Sequence, residues 1–525
     1  MPSEASFKQL ARNALIPSRL HLPLFLLVAL QFAIHRTMSG NEIDTLQAAR
    51  RFADPQYIPG DWFLGQPPGP RLPFQWLIWP LTATLPLVPL AIVGRILGFW
   101  LLTGAVARLL GRLGLRVGEA VLAMALFLWL GQSLFAGEWL FGQFETKVFA
   151  YAFVLFAIDA AADSRLRTAA LCLGAATTLH VFVGGWATFA VALALLTLRP
   201  PMPWRTVVEA ALLGLLAALP GLLCTLAVTG AHQPSPVDFA WIYVDLRAPH
   251  HLLPTTWSAA RQTWIIGLTL LAGLASPQLL WPNRADARLM ARVTLATLVP
   301  CLLGLAAAFL PQTHRFLATY PFRVGASLLL LLGLPLVVVP LLRGFPLVLQ
   351  RAVHVGVALA AAGIALMAFV GDIRALRTFP RGGQNVQPPD DVTFAAACAW
   401  LRRQPDRTLL LTSPAHEAAG YLSERPVVVT FKQIPPGEAG ALAWYARILE
   451  LAGPGPLQKR SYALPVELDE RFEALPPAEY CALAARHHAH WLLVRRADLP
   501  GVPQHRDGIW RVYALPTLCP VVLGR

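Results

Sequence analysis

Charge is scarce in this chain. Asp, Glu, Lys and Arg make up 14% of its 525 residues, while 56% are hydrophobic. With a mean hydropathy of +0.54, that excludes an ordinary soluble globular protein. Acids are the rarer sign, 29 against 43 Lys and Arg, which leaves a formal net charge of +14. Nucleic-acid binders share such an excess, but here the basic residues form short clusters between hydrophobic runs, so nucleic acid is not an expected partner. The six cysteines show no CxxC or Cys/His metal spacing, which removes a structural zinc site. Cys172, Cys224 and Cys301 fall in apolar runs; Cys398, Cys481 and Cys519 fall near the C-terminus, where at most one disulfide is expected. There is no GxGxxG or Walker sequence and hence no case for nucleotide binding. No GxSxG occurs and no cysteine sits beside an outward histidine, so nucleophilic catalysis lacks support. Duplicated halves of the transporter kind are also absent.

What the chain has is apolar runs of about 17–25 residues, the signature of membrane helices. The first, 21–34, follows Lys8, Arg12 and Arg19 with no A-x-A-like cleavage site, so an uncleaved helix is expected. Later spans are expected near 87–110, 117–134, 148–162, two across 169–198, then 207–229, 265–280, 293–310, 324–342 and 353–370. The run 72–85 is short and Pro-bounded, and is expected to be partly embedded. The tally is about eleven spans, N-terminus inside and C-terminus outside. Arg108, Arg112, Arg165, Arg199, Arg284 and Arg343 then lie inside. Arg50, Arg51, Lys147, Arg315 and Arg323 are exceptions on the outer face.

The expected division is a polytopic α-helical membrane domain over 1–371, with its first outer loop at 37–71, a linker at 372–389 and an outer α/β domain at 390–525. In the last part, helix-like DVTFAAACAWLRRQ, EAGALAWYARILELA and 477–488 alternate with strand-like RTLLLTS, PVVVTF, HWLLVRR and WRVYALP.

Several outer constellations carry chemistry-bearing residues. The segment GNEIDTLQAARRFADPQYIPGDWFL holds Glu42, Asp44, Asp54 and Asp61 beside Arg50 and Arg51. Glu42 and Asp44 lie near the start of an amphipathic helix, where the dipole favours acids. Chemically, Glu42 and Asp61, ahead of Asp44, suit a general base or ligands for Mg2+ or Mn2+, hard cations that prefer oxygen. In GEWLFGQFETKVFAY, Glu138, Glu145 and Lys147 mark either a phosphate or metal site or an interfacial anchor with Trp139 and Tyr151. His180, in TTLHVFVGG, reads as a neutral core histidine within an apolar helix, the alternative being a cavity-facing group. HRFLATYPFR places His314, Arg315, Tyr320 and Arg323 in an outer turn suited to a lipid-linked phosphate; contact with anionic headgroups is the other reading. The loop 230–262, with Asp238, Asp245, His250 and His251, has no diagnostic spacing and is at most a wall on the acceptor side. SERPVVVTFKQIPPGEAGALAWY gathers Arg425 and Lys432 near a strand end, as ligand sites in α/β sheets or as solvated edge charges.

Taken in order, NEIDTLQAARRFADPQYIPGDWFL, GQFETKVFAYAFVLFAI followed by TTLHVFVGG, HRFLATYPFR, and RPVVVTFKQIP with LAWYARILEL resemble the GT-C superfamily of polytopic glycosyltransferases. The match is closer still to a bacterial membrane family of unassigned activity related to it. The resemblance implies a multi-pass protein of the bacterial inner membrane, surrounded by membrane lipids, with its C-terminal domain periplasmic. It implies transfer of a sugar from a polyprenyl-phosphate donor to an outer-face acceptor. An acid in the first outer loop would be base or metal ligand, a role carried to Glu42. The superfamily's usual residue there is aspartate, which leaves Asp44 as the alternative. A second acid falls at Asp61, with donor contacts from Glu145, Lys147, His314, Arg315 and Arg323. The alternative function is non-catalytic: lipid or polymer handling, a flippase, or an assembly subunit of the cell envelope.

Overall fold

A computed structural model describes residues 19–34, 38–197, 203–229, 235–257, 261–377 and 392–520, without the side chains of 261–262 and 374–377. Lys8, Arg12, Arg199 and residues 378–389 of the expected linker lie outside the described residues.

Among the described residues, five helices are long and apolar enough to cross a membrane: Leu87–Arg112, Trp204–Thr229, Ala285–Ala308, Arg323–Arg343 and Leu347–Ile373. The other apolar helices are shorter, His21–Phe32, Val117–Trp129, Leu166–Leu179, Val181–Leu196 and Thr263–Ala275, with Thr146–Ala162 beside them. Among the described residues, full length is therefore reached by fewer helices than the about eleven spans the charge pattern suggests. Proline interrupts two of these five long helices. Pro300 offers no N–H to the carbonyl of Ala296, and Pro335 none to that of Leu331. The helical path breaks at Thr297 and at Leu332 accordingly. Trp204–Thr229 and Leu347–Ile373 keep most of their apolar surface outward, including Leu212, Leu216, Leu223, Leu359 and Met367. Lipid accepts such a surface where water would not.

Contacts divide the chain into two compact units, each described by itself. The first joins 1–34, 92–223 and 250–374. Its core sets Tyr151, Val154, Leu155 and Ile158 among Phe99, Leu102, Val106 and Leu109. Between apolar helices in lipid, small residues permit close approach. Gly174 is such a place, since a Cβ there would lie 2.3 Å from the carbonyl oxygen of Gly214. At one end of this unit the arginines expected inside meet carboxylates. Arg108 pairs with Asp159 at 2.7 Å, Arg112 with Asp163 at 2.7 Å and also with Asp159, and Arg343 with Glu119 at 2.7 Å.

The second unit joins 35–91, 224–249 and 375–525. The first outer loop thus groups with the C-terminal segment, although the expected boundaries set it with the membrane domain. Helix Leu347–Arg377 runs on into the first residues of the expected linker. The sheet has order β1-β2-β4-β3, with β1 Leu409–Thr412, β2 Ala489–Val494, β3 His505–Asp507 and β4 Trp510–Ala514. β1 and β2 are parallel; β4 runs antiparallel to both of its neighbours. Helices Val392–Arg403, Glu438–Ala452 and Pro477–His487 form as the sequence pattern predicts. PVVVTF does not become a strand. Its only ladder contact is an isolated bridge from Val427 to Leu410. Pro426 has no N–H to give, and the N–H of Val427 goes to the Asp61 carboxylate. Val428, Val429 and Phe431 are buried in the core instead. Cys481 and Cys519 form a disulfide, and Cys398 stays buried and free.

Candidate functional site

In the first unit, a loop between Val117–Trp129 and Thr146–Ala162 carries an acid into the protein. Gln132 pins it. Its Oε1 accepts the N–H groups of Leu140 and Phe141, at 2.9 and 2.7 Å, and its Nε2 donates to the carbonyl of Phe141. Gly137, at φ +57, turns the chain just before Glu138. Glu138 is 2% exposed, and a carboxylate so placed must be paired. Arg323 Nε donates to its Oε1 at 2.7 Å. Lys147 lies 3.9 Å from the other oxygen and His251 3.7 Å from Oε1. Burial alone would raise the Glu138 pKa. The charges of Arg323, Lys147 and His251 outweigh it and bring the carboxyl down to about 2.

Arg323 opens the helix Arg323–Leu331, where a cation opposes the dipole, so Glu138 offsets two costs. Its Nη1 lies 3.1 Å from His180 Nε2. Arginine only donates, so that nitrogen accepts. The guanidinium also stacks 3.7 Å from the Tyr320 ring, and Tyr151 Oη donates to its backbone carbonyl at 3.0 Å. His180 is not inside a helix, as the sequence suggested. It interrupts Leu166–Leu179 and Val181–Leu196 in extended conformation, with Nδ1 3.4 Å from the Val183 amide. His251 Nδ1 donates to the Ala136 carbonyl at 2.6 Å. Burial, opposed chiefly by Glu138, depresses its pKa to about 4. Lys147 lies 3.2 Å over the Trp139 ring and 3.6 Å from Glu145.

Three constellations far apart in sequence thus meet at Glu138. Glu145 has the lesser place, touching Lys147 alone among the cations. His314 is buried and Arg315 exposed on the short helix His314–Leu317. Sequence reasoning passed over His251 as part of this cluster, since nothing in its spacing singles it out. The cluster holds two cations against two carboxylates. A phosphate oxygen entering it would compete with Glu138 and Glu145 for Lys147 and Arg323.

The second unit holds the acids of the first outer loop. Glu42 takes part in a capping box there. Ser39 Oγ accepts from the Glu42 N–H at 3.3 Å, and Glu42 Oε2 accepts from the Ser39 N–H at 3.0 Å. This capping box starts helix Gly40–Ala53. Asp61 is likewise held by backbone, accepting from Leu64 at 2.9 Å and Val427 at 3.3 Å. Burial nevertheless lifts its pKa to about 6 against those N–H groups. Among the described residues no three His, Cys, Asp or Glu side chains converge on a cation position.

Asp44 stands differently. It is 4% exposed, and its carboxylate lies 3.9 Å from Arg71. Burial pushes its pKa up to about 7, opposed by the charges of Arg71 and Lys432 and helped by Glu417, while a hydrogen bond from Gln433 lowers it. A Cβ at Gly40 would lie 2.4 Å from Glu417 Oε2 and 2.6 Å from Lys432 Cγ. Glycine therefore lets the C-terminal segment press against the first turn of this helix. Arg247 fixes that segment by donating to the carbonyls of Phe431, at 3.1 Å, and Lys432, at 3.4 Å. Lys432 is accordingly part of the Asp44 surroundings. Arg425 is not a solvated edge charge. It is fully buried and donates to the carbonyls of Leu401 and Thr408 and to Asp406.

A family model described as a domain of unknown function, DUF6798, matches residues 392–451, the stretch that holds Glu417, Arg425 and Lys432. No curated protein matches the chain. Among solved structures, the chain is similar to the arabinofuranosyltransferase AftD from Mycobacteria, at 15% identity and a TM-score of 0.44. The likeness covers 93% of this chain and 35% of that one, so this chain spans about a third of the length of the structure it resembles. The likeness extends to nothing finer than that.

Proposed function

We propose that the protein is a glycosyltransferase of the bacterial inner membrane, moving a sugar from a polyprenyl-phosphate donor to an acceptor on the outer face. The observation that supports this reading most is Asp44. Its carboxyl is buried beside Arg71 and Lys432 and titrates near neutrality, where a general base works best. In this reading Asp44 takes the proton of the acceptor hydroxyl. The acceptor oxygen then bonds to the anomeric carbon, and the bond to the donor phosphate breaks with its electron pair on the leaving phosphate. The departing charge needs cations nearby, and in this reading Arg71 and Lys432, which stand beside Asp44, supply them. Glu42 and Asp61 hold backbone, and no step is assigned to Mg2+ or Mn2+. The Cys481–Cys519 disulfide supports a C-terminal domain on the oxidising, periplasmic side, with the N-terminus in the cytoplasm.

The test is turnover of synthetic polyprenyl-phosphate sugars by purified protein, followed as release of the lipid phosphate. Release that depends on Asp44 supports transfer. Lipid binding without release would favour the handling role, in which the same cations hold lipid phosphates and no bond changes.

A further inference from the structure

Within the second unit, a cavity of about 200 Å³ is lined by Arg50, Arg402, Tyr57, Tyr421, Glu424 and the backbone around Leu85. None of these residues has a part in the transfer described above. The cavity equals the volume of about six or seven waters, enough for a small polar molecule and too little for a lipid chain.

Its charges do not balance. Glu424 is shared by Arg402, at 2.6 Å, and Arg407, at 3.7 Å. Arg50 spends Nη1 on the carbonyls of Thr82 and Leu85 and has no carboxylate partner among the described residues. Two guanidinium groups, Arg50 and Arg402, therefore line the cavity beside one acid, which Arg407 shares from outside the lining. The Tyr421 hydroxyl is buried without a hydrogen-bond partner among the described residues, an omission that buried polar groups seldom tolerate. Glu424 adopts the left-handed conformation, φ 49 and ψ 43, which a non-glycine residue avoids unless its surroundings hold it there. Burial raises the pKa values of both Tyr57 and Tyr421, so both hydroxyls remain able to donate.

We infer that this cavity binds a small oxyanion, a phosphate or a carboxylate, through Arg50, Arg402 and the Tyr421 hydroxyl. Guanidinium groups match the geometry of either anion. The experiment titrates the full chain in detergent with inorganic phosphate, glucuronate and glucose by calorimetry. Arg50→Gln is the obvious variant, but it also frees two carbonyls. Tyr421→Phe removes only an oxygen that the protein leaves unpartnered. The inference predicts binding of phosphate, of glucuronate or of both, and none of glucose. Tyr421→Phe should raise the Kd about tenfold with the melting temperature unchanged or higher. Phosphate binding alone identifies a phosphate ligand, and glucuronate binding alone a carboxylate. No binding of either anion at about 10 mM, equal binding of glucose, or an unchanged Kd in Tyr421→Phe would overturn it.

Discussion

Arg323 Nε lies 2.7 Å from Glu138 Oε1 across 185 residues of sequence. The pair is buried, with side-chain exposures of 12% and 2%. Breaking a buried pair from one side is costlier than removing both partners, because a lone charge is left behind. Glu138→Gln should therefore lower stability by about 3 kcal/mol or more, and Arg323→Met by a similar amount. The double variant should lose much less than the sum. Thermal unfolding of all four proteins in one detergent checks this, and additive losses would mean the two side chains are not coupled.

Arg323→Lys tests the fork rather than the charge. A lysine cannot reach Glu138 and His180 together, as Nε and Nη1 of the guanidinium do. Stability should fall by about 1–3 kcal/mol, the range for a hydrogen bond lost to a buried group. A lysine variant as stable as the wild type would show that the His180 contact contributes nothing.

The pH dependence of stability should carry the mark of Asp44. Folding raises its pKa from 3.8 to about 7. The carboxyl therefore adds stability that is complete below pH about 4 and is lost as the pH rises through about 7. Asp44→Asn has no such loss, so the variant should gain on the wild type by up to roughly 1.4 kcal/mol per pH unit across that window. Melting temperatures at several values between pH 4.5 and 8.5 provide the comparison. Parallel curves would mean that Asp44 is ionised without penalty.

Removal of the Cys481–Cys519 bridge, which closes a 38-residue separation, should cost about 3 kcal/mol. Paired Cys481→Ala and Cys519→Ala substitutions, compared with reduced wild type, measure it. Protein from intact cells should also shift in mobility on reduction. Thiols that remain free in cells would place the domain on the reducing side.

Much of this was legible in sequence and some was not, for physical reasons. The apolar runs announced membrane helices because lipid demands length and apolarity together. Helices such as Glu438–Ala452 followed from local periodicity. Ser39-x-x-Glu42 has the spacing of a capping box, a signal that the reading of Glu42 as base or metal ligand passed over. The break at His180 was hidden, because apolar residues flank it on both sides and only the Arg323 contact explains its position. PVVVTF has the composition of a strand, yet a carboxylate far away in sequence takes its first N–H. Arg425 looked like a surface charge because nothing local tells of the carbonyls of Leu401 and Thr408. Lys432 and Asp44 lie far apart along the chain, and only folding brings them into one electrostatic neighbourhood.

The most direct test of the central claim is the pH–rate profile of sugar transfer from a polyprenyl-phosphate donor, for the wild type and for Asp44→Asn. The account predicts that wild-type turnover rises with pH to a plateau above about 7, as the base ionises, and falls about 10²–10⁴-fold in Asp44→Asn. Glu42→Gln and Asp61→Asn should lose stability while each folded molecule keeps most of its turnover. Wild-type turnover in Asp44→Asn, or a profile flat through pH 7, would contradict it.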